Sequence, residues 1–206
     1  MRIGPKFKIA RRLGSRVFSK TQTTKFSISG SERKTGKQGG RRPKALSEYG
    51  QQLIEKQKAR YTYGLKEHQF ANYVKNIKAK KGSTSVAELY RALESRLDNV
   101  VFRLGIAPTR SFARQMITHG HITLNGRRVN IPSATLKVGD VVVVRKQSQT
   151  TGLFKDLAER LKQYQVPSWL IFDEASKQGS VKAVPQIGEG EADINFSSIL
   201  EFYSRV

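Results

Sequence analysis

Arg110 and Arg114 stand four residues apart, Arg127 and Arg128 follow an Asn125-Gly126 pair, and no carboxylate lies anywhere between them. Cations placed at such spacings, with acids excluded, do one kind of chemistry well: they hold phosphates. Residues 101–150 carry eight Lys or Arg against the single acid Asp140, a balance of +7 on what should be a compact unit. Further cations cluster at Lys6, Lys8, Arg11 and Arg12 near the start and at Lys56, Lys58 and Arg60 in the middle, and Arg96 and Arg103 flank Asp98. Other chemistries find less support. The segment from Gly30 to Gln38 has the flavour of a phosphate-binding nucleotide loop, but its spacing is one residue too long and Gln38 stands where Ser or Thr would hold magnesium. His119 and His121 lack a third ligand, and the chain has no cysteine, so no metal site is expected. Glu189, Glu191 and Asp193 are too sparse for catalytic pairing and suit a basic protein neighbour better. No catalytic residue, cofactor or small-molecule substrate is expected.

The composition of the whole chain agrees. In 206 residues, 38 Lys and Arg face 16 Asp and Glu, giving +22 and a pI near 10.5. Such an excess is usually neutralised on nucleic acid. A basic membrane-surface protein would need an apolar anchor, and no run of even ten uncharged apolar residues exists, so no membrane partner is expected. The absence of cysteine fits a reducing compartment, and no apolar core of a secretory signal follows the basic amino terminus. Charge falls along the chain: +12 over residues 1–50, +5 over 51–100, +7 over 101–150 and −2 over 151–206. The carboxyl end therefore has a different task.

These cations need elements to position them. Residues 1–43 are rich in Ser, Thr, Gly and cations and weakly periodic, which predicts an extended arm lying on its partner. Pro43 should open a helix running to about Tyr61, with Leu46, Tyr49, Leu53 and Ile54 as its apolar stripe. Gln57 and Arg60 fall back into that stripe, and are expected to face RNA or another subunit rather than a core. A second helix passes through Phe70, Tyr73, Val74 and Ile77, and Ser85 to Glu88 forms a capping box for a third. In the third, Leu93, Leu97, Val100, Val101 and Leu104 face a core while Arg96, Asn99 and Arg103 share the opposite side. Thr109 caps a two-turn helix over 110–118, which places Arg110 and Arg114 on its solvent side. Asn125-Gly126 then predicts a type I′ hairpin, followed by a strand over Val141 to Val144. Further on, Pro167 to Phe172 should form a strand containing the core residue Trp169, with a turn at Gln178-Gly179 and a partner strand over Val181 to Val184. Asn195 caps a last helix whose stripe of Phe196, Ile199, Leu200 and Tyr203 requires a docking surface.

Three stretches, Arg96 to Gly105, Thr109 to Ile122 and Asn125 to Pro132, resemble the RNA-binding module of the small-subunit ribosomal protein four family. Gly4 to Gly14, Leu46 to Gly64 and Ala192 to Asn195 resemble the same family, in order, over nearly the whole chain. The resemblance implies an α+β protein: a helical domain with an extended basic arm, plus an RNA-binding domain of two helices followed by a small antiparallel sheet. Its expected limits are an arm at 1–43, a helical domain at 44–92 completed by 188–206, and an α+β domain at 93–187 with the module at about 94–155. It also implies a structural constituent of the small ribosomal subunit, not an enzyme, that binds the five-prime domain of 16S ribosomal RNA early in assembly. Carried over by position, Lys6, Lys8, Arg11, Arg12, Lys56, Lys58, Arg60, Arg110, Arg114, Arg127 and Arg128 would touch phosphates and riboses, with Arg96 and Arg103 as further candidates. Arg41, Arg42 and Lys44 match a basic patch where messenger RNA enters the subunit, and the neighbouring ribosomal protein five is the implied partner for effects on decoding accuracy. The implied location is the cytoplasmic ribosome, with an organelle ribosome as the alternative. Where many family members carry cysteines, this chain reads Thr35 to Gly40, which implies no zinc there. The same module occurs in RNA-modifying enzymes of the pseudouridine synthase type and in a ribosome-associated stress protein. The first would need a separate catalytic domain, and the second would lack the helices of residues 43–82.

Overall fold

The computed structural model describes residues 3–28, 46–79, 86–149, 151–154, 157, 161, 164–173, 176–188 and 194–205. The chain divides into two compact units, Met1–Val86 with Glu191–Val206, and Ala87–Gly190.

In the first unit, residues 3–28 are not the extended arm that their composition suggests. Helix α1, Lys6–Leu13, ends at Gly14, whose φ of 64° lets its N–H turn back onto the last carbonyls of the helix. A short 3₁₀ turn at Ser19–Thr21 follows, and Ala10, Phe18 and Phe26 bury one another with Ile3, Ile9, Ile28 and Tyr61 alongside. The aromatic pair Phe18 and Phe26 supplies apolar area that helical or strand periodicity would not register, and this is enough to fold a segment otherwise made of cations and small polar residues.

Helix α2, Glu48–Thr62, starts later than the proline-led start expected of it, because the Ser47 hydroxyl caps it by accepting the Gly50 N–H at 3.2 Å; Pro43 lies outside the described residues. Helix α3 is Glu67–Ala79. The terminal helix, Phe196–Arg205, begins under the Asn195 cap and packs on α2 and α3, setting Tyr203 against Phe70 and Phe202 against Tyr49.

The second unit opens with two helices where a single continuous one was expected: α4, Val86–Glu94, and α5, Leu97–Arg103. The break is tertiary in origin. Leu97 N–H donates to Ala134 O at 2.8 Å, Asp98 N–H to Pro132 O at 3.0 Å, and Leu136 N–H to Ser95 O at 2.8 Å, so a loop from the far side of the hairpin takes the hydrogen bonds that a continuous helix would have made. Helix α6, Arg110–Thr118, is capped by the Thr109 hydroxyl, which accepts the Phe112 N–H at 3.1 Å. It leads into a five-stranded antiparallel sheet ordered β2-β1-β3-β5-β4, with β1 Ile122–Leu124, β2 Arg127–Arg128, β3 Val141–Val144, β4 Leu170–Asp173 and β5 Gln178–Val181. Asn125 and Gly126 both take positive φ, 49° and 77°, as a type I′ turn requires. The expected turn at Gln178-Gly179 is instead the start of β5, with the reversal carried by Lys177 at φ 50°. Gly179 is there for space: a Cβ would overlap the buried side chain of Leu104, the residue that follows α5. The core of this unit joins α5, α6 and the inner sheet face around Trp169.

Candidate nucleic-acid interface

In the second unit, Arg96, Arg103, Arg110 and Arg114 lie on or beside α5 and α6, and each is held by an acceptor from α4 or α5. Asp98, only 1% exposed, accepts Arg96 Nε and Nη2 at 3.0 and 2.8 Å, and also Arg114 Nε and Nη2 at 2.8 and 2.6 Å. Glu94, fully buried, accepts Arg103 Nε and Nη2 at 3.0 and 2.9 Å and the Asn99 amide at 2.7 Å. Asn99 in turn accepts Arg110 Nε at 2.7 Å, and the Arg110 guanidinium lies 4.4 Å from the Phe102 ring centroid. The side of α5 that carries Arg96, Asn99 and Arg103 is thus a second, polar core.

This corrects the expectation for Arg96 and Arg103, which are internal ion-pair partners rather than surface cations. Arg110 and Arg114 are half-buried rather than fully on the solvent side; 29% of the Arg114 side chain remains exposed. A desolvated guanidinium needs a matched carboxylate, and those carboxylates, Glu94 and Asp98, are the residues that charge counting overlooked.

Cations of the hairpin behave differently. Arg127 and Arg128 are both exposed on β2, beside exposed His119. Arg128 Nη2 reaches His119 O at 3.4 Å, its guanidinium lying across Gly120, where a Cβ would collide with it. His121 is held by Ser148 Oγ at 3.0 Å, and its pKa is pushed below the usual histidine value by burial, then by His119, Arg145 and Arg128. Lys137 and Lys146 are exposed in the same unit and were absent from the expected contact set. Asp140, the one acid of residues 101–150, serves the loops: it accepts the Asn125 amide at 2.8 Å and the Lys137 N–H at 2.7 Å.

Because Gly120 combines a φ of 75° with that close approach, Gly120→Ala should cost about 1–2 kcal/mol of stability and push Arg128 off its seat. An Arg128 Nε–H resonance unchanged by the substitution would show that the seat does not exist.

In the first unit, α1 turns Lys8, Arg11 and Arg12 to solvent, with Lys6 half-buried and Arg11 set 5.6 Å from the Phe26 ring. The Lys56, Lys58 and Arg60 group is not a free patch. Lys56, 7% exposed, bonds Glu67 at 2.8 Å and lies 4.4 Å from the Phe202 ring. Lys58 bonds Glu55 at 2.7 Å, and Arg60 lies 3.6 Å from Glu67 and over Tyr61. Burial pushes the Glu67 pKa up, but its bonds to Lys56 and Tyr203, with the Arg60 charge, bring it below the usual carboxylate value overall. Arg41, Arg42 and Lys44 lie outside the described residues. Among the described residues no group of three His, Cys, Asp or Glu side chains could hold a metal ion, and no helix is long and apolar enough to cross a membrane.

Two helices followed by a hairpin sheet with basic residues along one edge define a class of RNA-binding module, and the family model described as the S4 domain matches residues 95–142. A second model, the ribosomal protein S4/S9 N-terminal domain, matches residues 1–94. The chain is 45% identical over 206 residues to the small ribosomal subunit protein uS4 of Roseiflexus castenholzii, with 98% of each chain covered. It is 44% identical over 205 residues, again with 98% of each covered, to the protein of that name from Chloroflexus aurantiacus. The chain belongs to the uS4 family of small ribosomal subunit proteins.

Proposed function

We propose that this chain is a structural, non-enzymatic component of the small ribosomal subunit and binds 16S ribosomal RNA through its backbone phosphates. The observation that carries this is the likeness to uS4 proteins over 98% of both chains. The partition of cations supports the mode of binding. Arg127, Arg128, Lys137 and Lys146 in one unit, and Lys8, Arg11 and Arg12 in the other, are exposed, which suits contact with a sugar–phosphate surface recognised by shape. The half-buried pair Arg110 and Arg114 would present their outer guanidinium edges to the same partner. The finer assignments rest on the family resemblance: binding to the five-prime domain, nucleation of its assembly, contact with ribosomal protein five, an influence on decoding accuracy, and a role for Arg41, Arg42 and Lys44 where messenger RNA enters. An RNA-modifying enzyme or a stress protein built on the same module would leave the ribosomal match of residues 1–94 without a purpose.

Two measurements test the proposal. In lysate sedimented at high salt the protein should travel with small subunits; recovery only in RNA-free fractions refutes it. In filter binding to 16S ribosomal RNA, Arg127→Ala with Arg128→Ala should reduce the slope of log affinity against log salt by about 1–2. An unchanged slope would remove β2 from the interface.

A further inference from the structure

The end of α6 and the strands beside it gather four basic side chains. His119 is exposed and His121 half-buried, with their ring centroids 6.1 Å apart. Arg128 of β2 is exposed; it lies across Gly120 and donates to His119 O. Arg145, half-buried just after β3, donates its backbone N–H to His121 O at 2.9 Å and its Nη2 to Gln147 Oε1. The acceptors here are neutral, whereas Arg96, Arg103 and Arg114 face carboxylates. The remaining groups packed on His121 are the Ser148 hydroxyl, from the short helix Lys146–Gln149, and the Phe154 ring at 6.4 Å. Among the described residues no carboxylate faces this cluster. A hydroxyl can donate to a neutral imidazole or accept from an imidazolium, so Ser148 holds the His121 ring in either protonation state. In the free protein, burial and the three basic neighbours oppose its charging.

We infer that His119, His121, Arg128 and Arg145 form one site for a backbone phosphate of the bound RNA, and that filling it draws a proton from solvent onto the histidine pair. The four side chains converge positive charge and N–H donors on one place without an internal counter-ion, which suits a phosphate oxygen. An opposite charge within about 4–6 Å favours the imidazolium form, so the ring that resists a proton in the free protein accepts one in the complex. The sign follows. Binding takes up a proton, so affinity is greatest at low pH and falls as pH rises through the histidine range, around pH 6.5. This assignment rests on the proposed RNA-binding function. It adds His119, His121 and Arg145 to the contact set and makes the contact responsive to pH.

The test is calorimetric titration of the full-length protein with 16S ribosomal RNA at about pH 6.5 and fixed salt, in two buffers of different ionisation enthalpy, which counts the protons exchanged. The wild type should take up about 0.5–1 proton more than the double variant His119→Asn with His121→Asn. Asparagine keeps a hydrogen-bonding group near Ser148, and protonation of RNA bases is common to both proteins and cancels. By filter binding, wild-type affinity should fall about five- to tenfold more than that of the double variant between about pH 5.5 and about pH 7.5. Arg128→Ala, at an exposed position, should also reduce the uptake, because the phosphate is no longer set against the rings. His68→Asn, on an exposed site of α3 in the first unit, should leave it unchanged. Equal uptake by the wild type and the double variant, undiminished uptake in Arg128→Ala, or loss of uptake in His68→Asn would each overturn the assignment. No uptake by the wild type overturns it whether or not any variant folds. If the wild type binds the RNA without this uptake, the site fails and the wider function stands; if it does not bind the RNA, the wider function fails as well.

Discussion

Asp98→Ala is expected to lower the unfolding free energy by about 3–5 kcal/mol. Asp98 is the shared acceptor of Arg96 and Arg114, and Arg96 is only 4% exposed. Removing the carboxylate leaves the Arg96 guanidinium desolvated with its principal counter-charge gone, whereas Arg114 can turn toward water. The double change Asp98→Leu with Arg96→Met should recover most of the loss, since no charge is then stranded. Urea unfolding followed by the emission of the single tryptophan, Trp169, reads both. A loss below about 1 kcal/mol for Asp98→Ala would place the pair among weak surface ion pairs and undo the account of a polar core under α5. The substitution also makes the chain more positive, so a gain in RNA affinity with a fall in stability would separate the structural task of the carboxylate from its effect on net charge.

Trp169→Ala should cost a similar amount, about 3–5 kcal/mol, by opening a large cavity. The indole is 1% exposed and packs in the core formed by α5, α6 and the sheet. The backbone bonds from Lys182 and Ala183 to Trp169 O, at 2.9 and 3.2 Å, do not depend on the side chain, so the loss measures packing. Trp169→Phe should lose far less, because the buried indole Nε1 has no hydrogen-bond partner to surrender among the described residues. Thermal unfolding by circular dichroism gives the stability loss. Binding of Trp169→Phe to 16S ribosomal RNA should match the wild type; a marked drop would mean that the ring stacks on a base and is no core residue.

The Asn125-Gly126 turn, the Thr109 cap of α6 and the Asn195 cap of the terminal helix were readable because each is decided by hydrogen bonds and backbone angles within a few residues. The α+β class and the small-subunit ribosomal family were legible through the resemblance of six stretches of the chain to that family, and the family models, over residues 1–94 and 95–142, match all but the last of them. The split of α4 from α5 was not readable, because the groups that cause it, at Pro132, Ala134 and Leu136, arrive from almost forty residues away. The compact fold of residues 3–28 was missed for a related reason: two phenylalanines eight residues apart make a core only once a turn brings them together.

The sequence by itself determined that this protein is cationic, acid-poor along the α6 and hairpin region, and of a ribosomal family. Only the tertiary structure decided which cations are available. Lys56, Arg96 and Arg103 are drawn inward by Glu67, Asp98 and Glu94, whereas Arg127, Arg128 and Arg12 remain at the surface. Charge is a property of each residue and can be counted along a chain; its neutralisation depends on which carboxylate packing brings within about 3–4 Å, at a dielectric that burial sets.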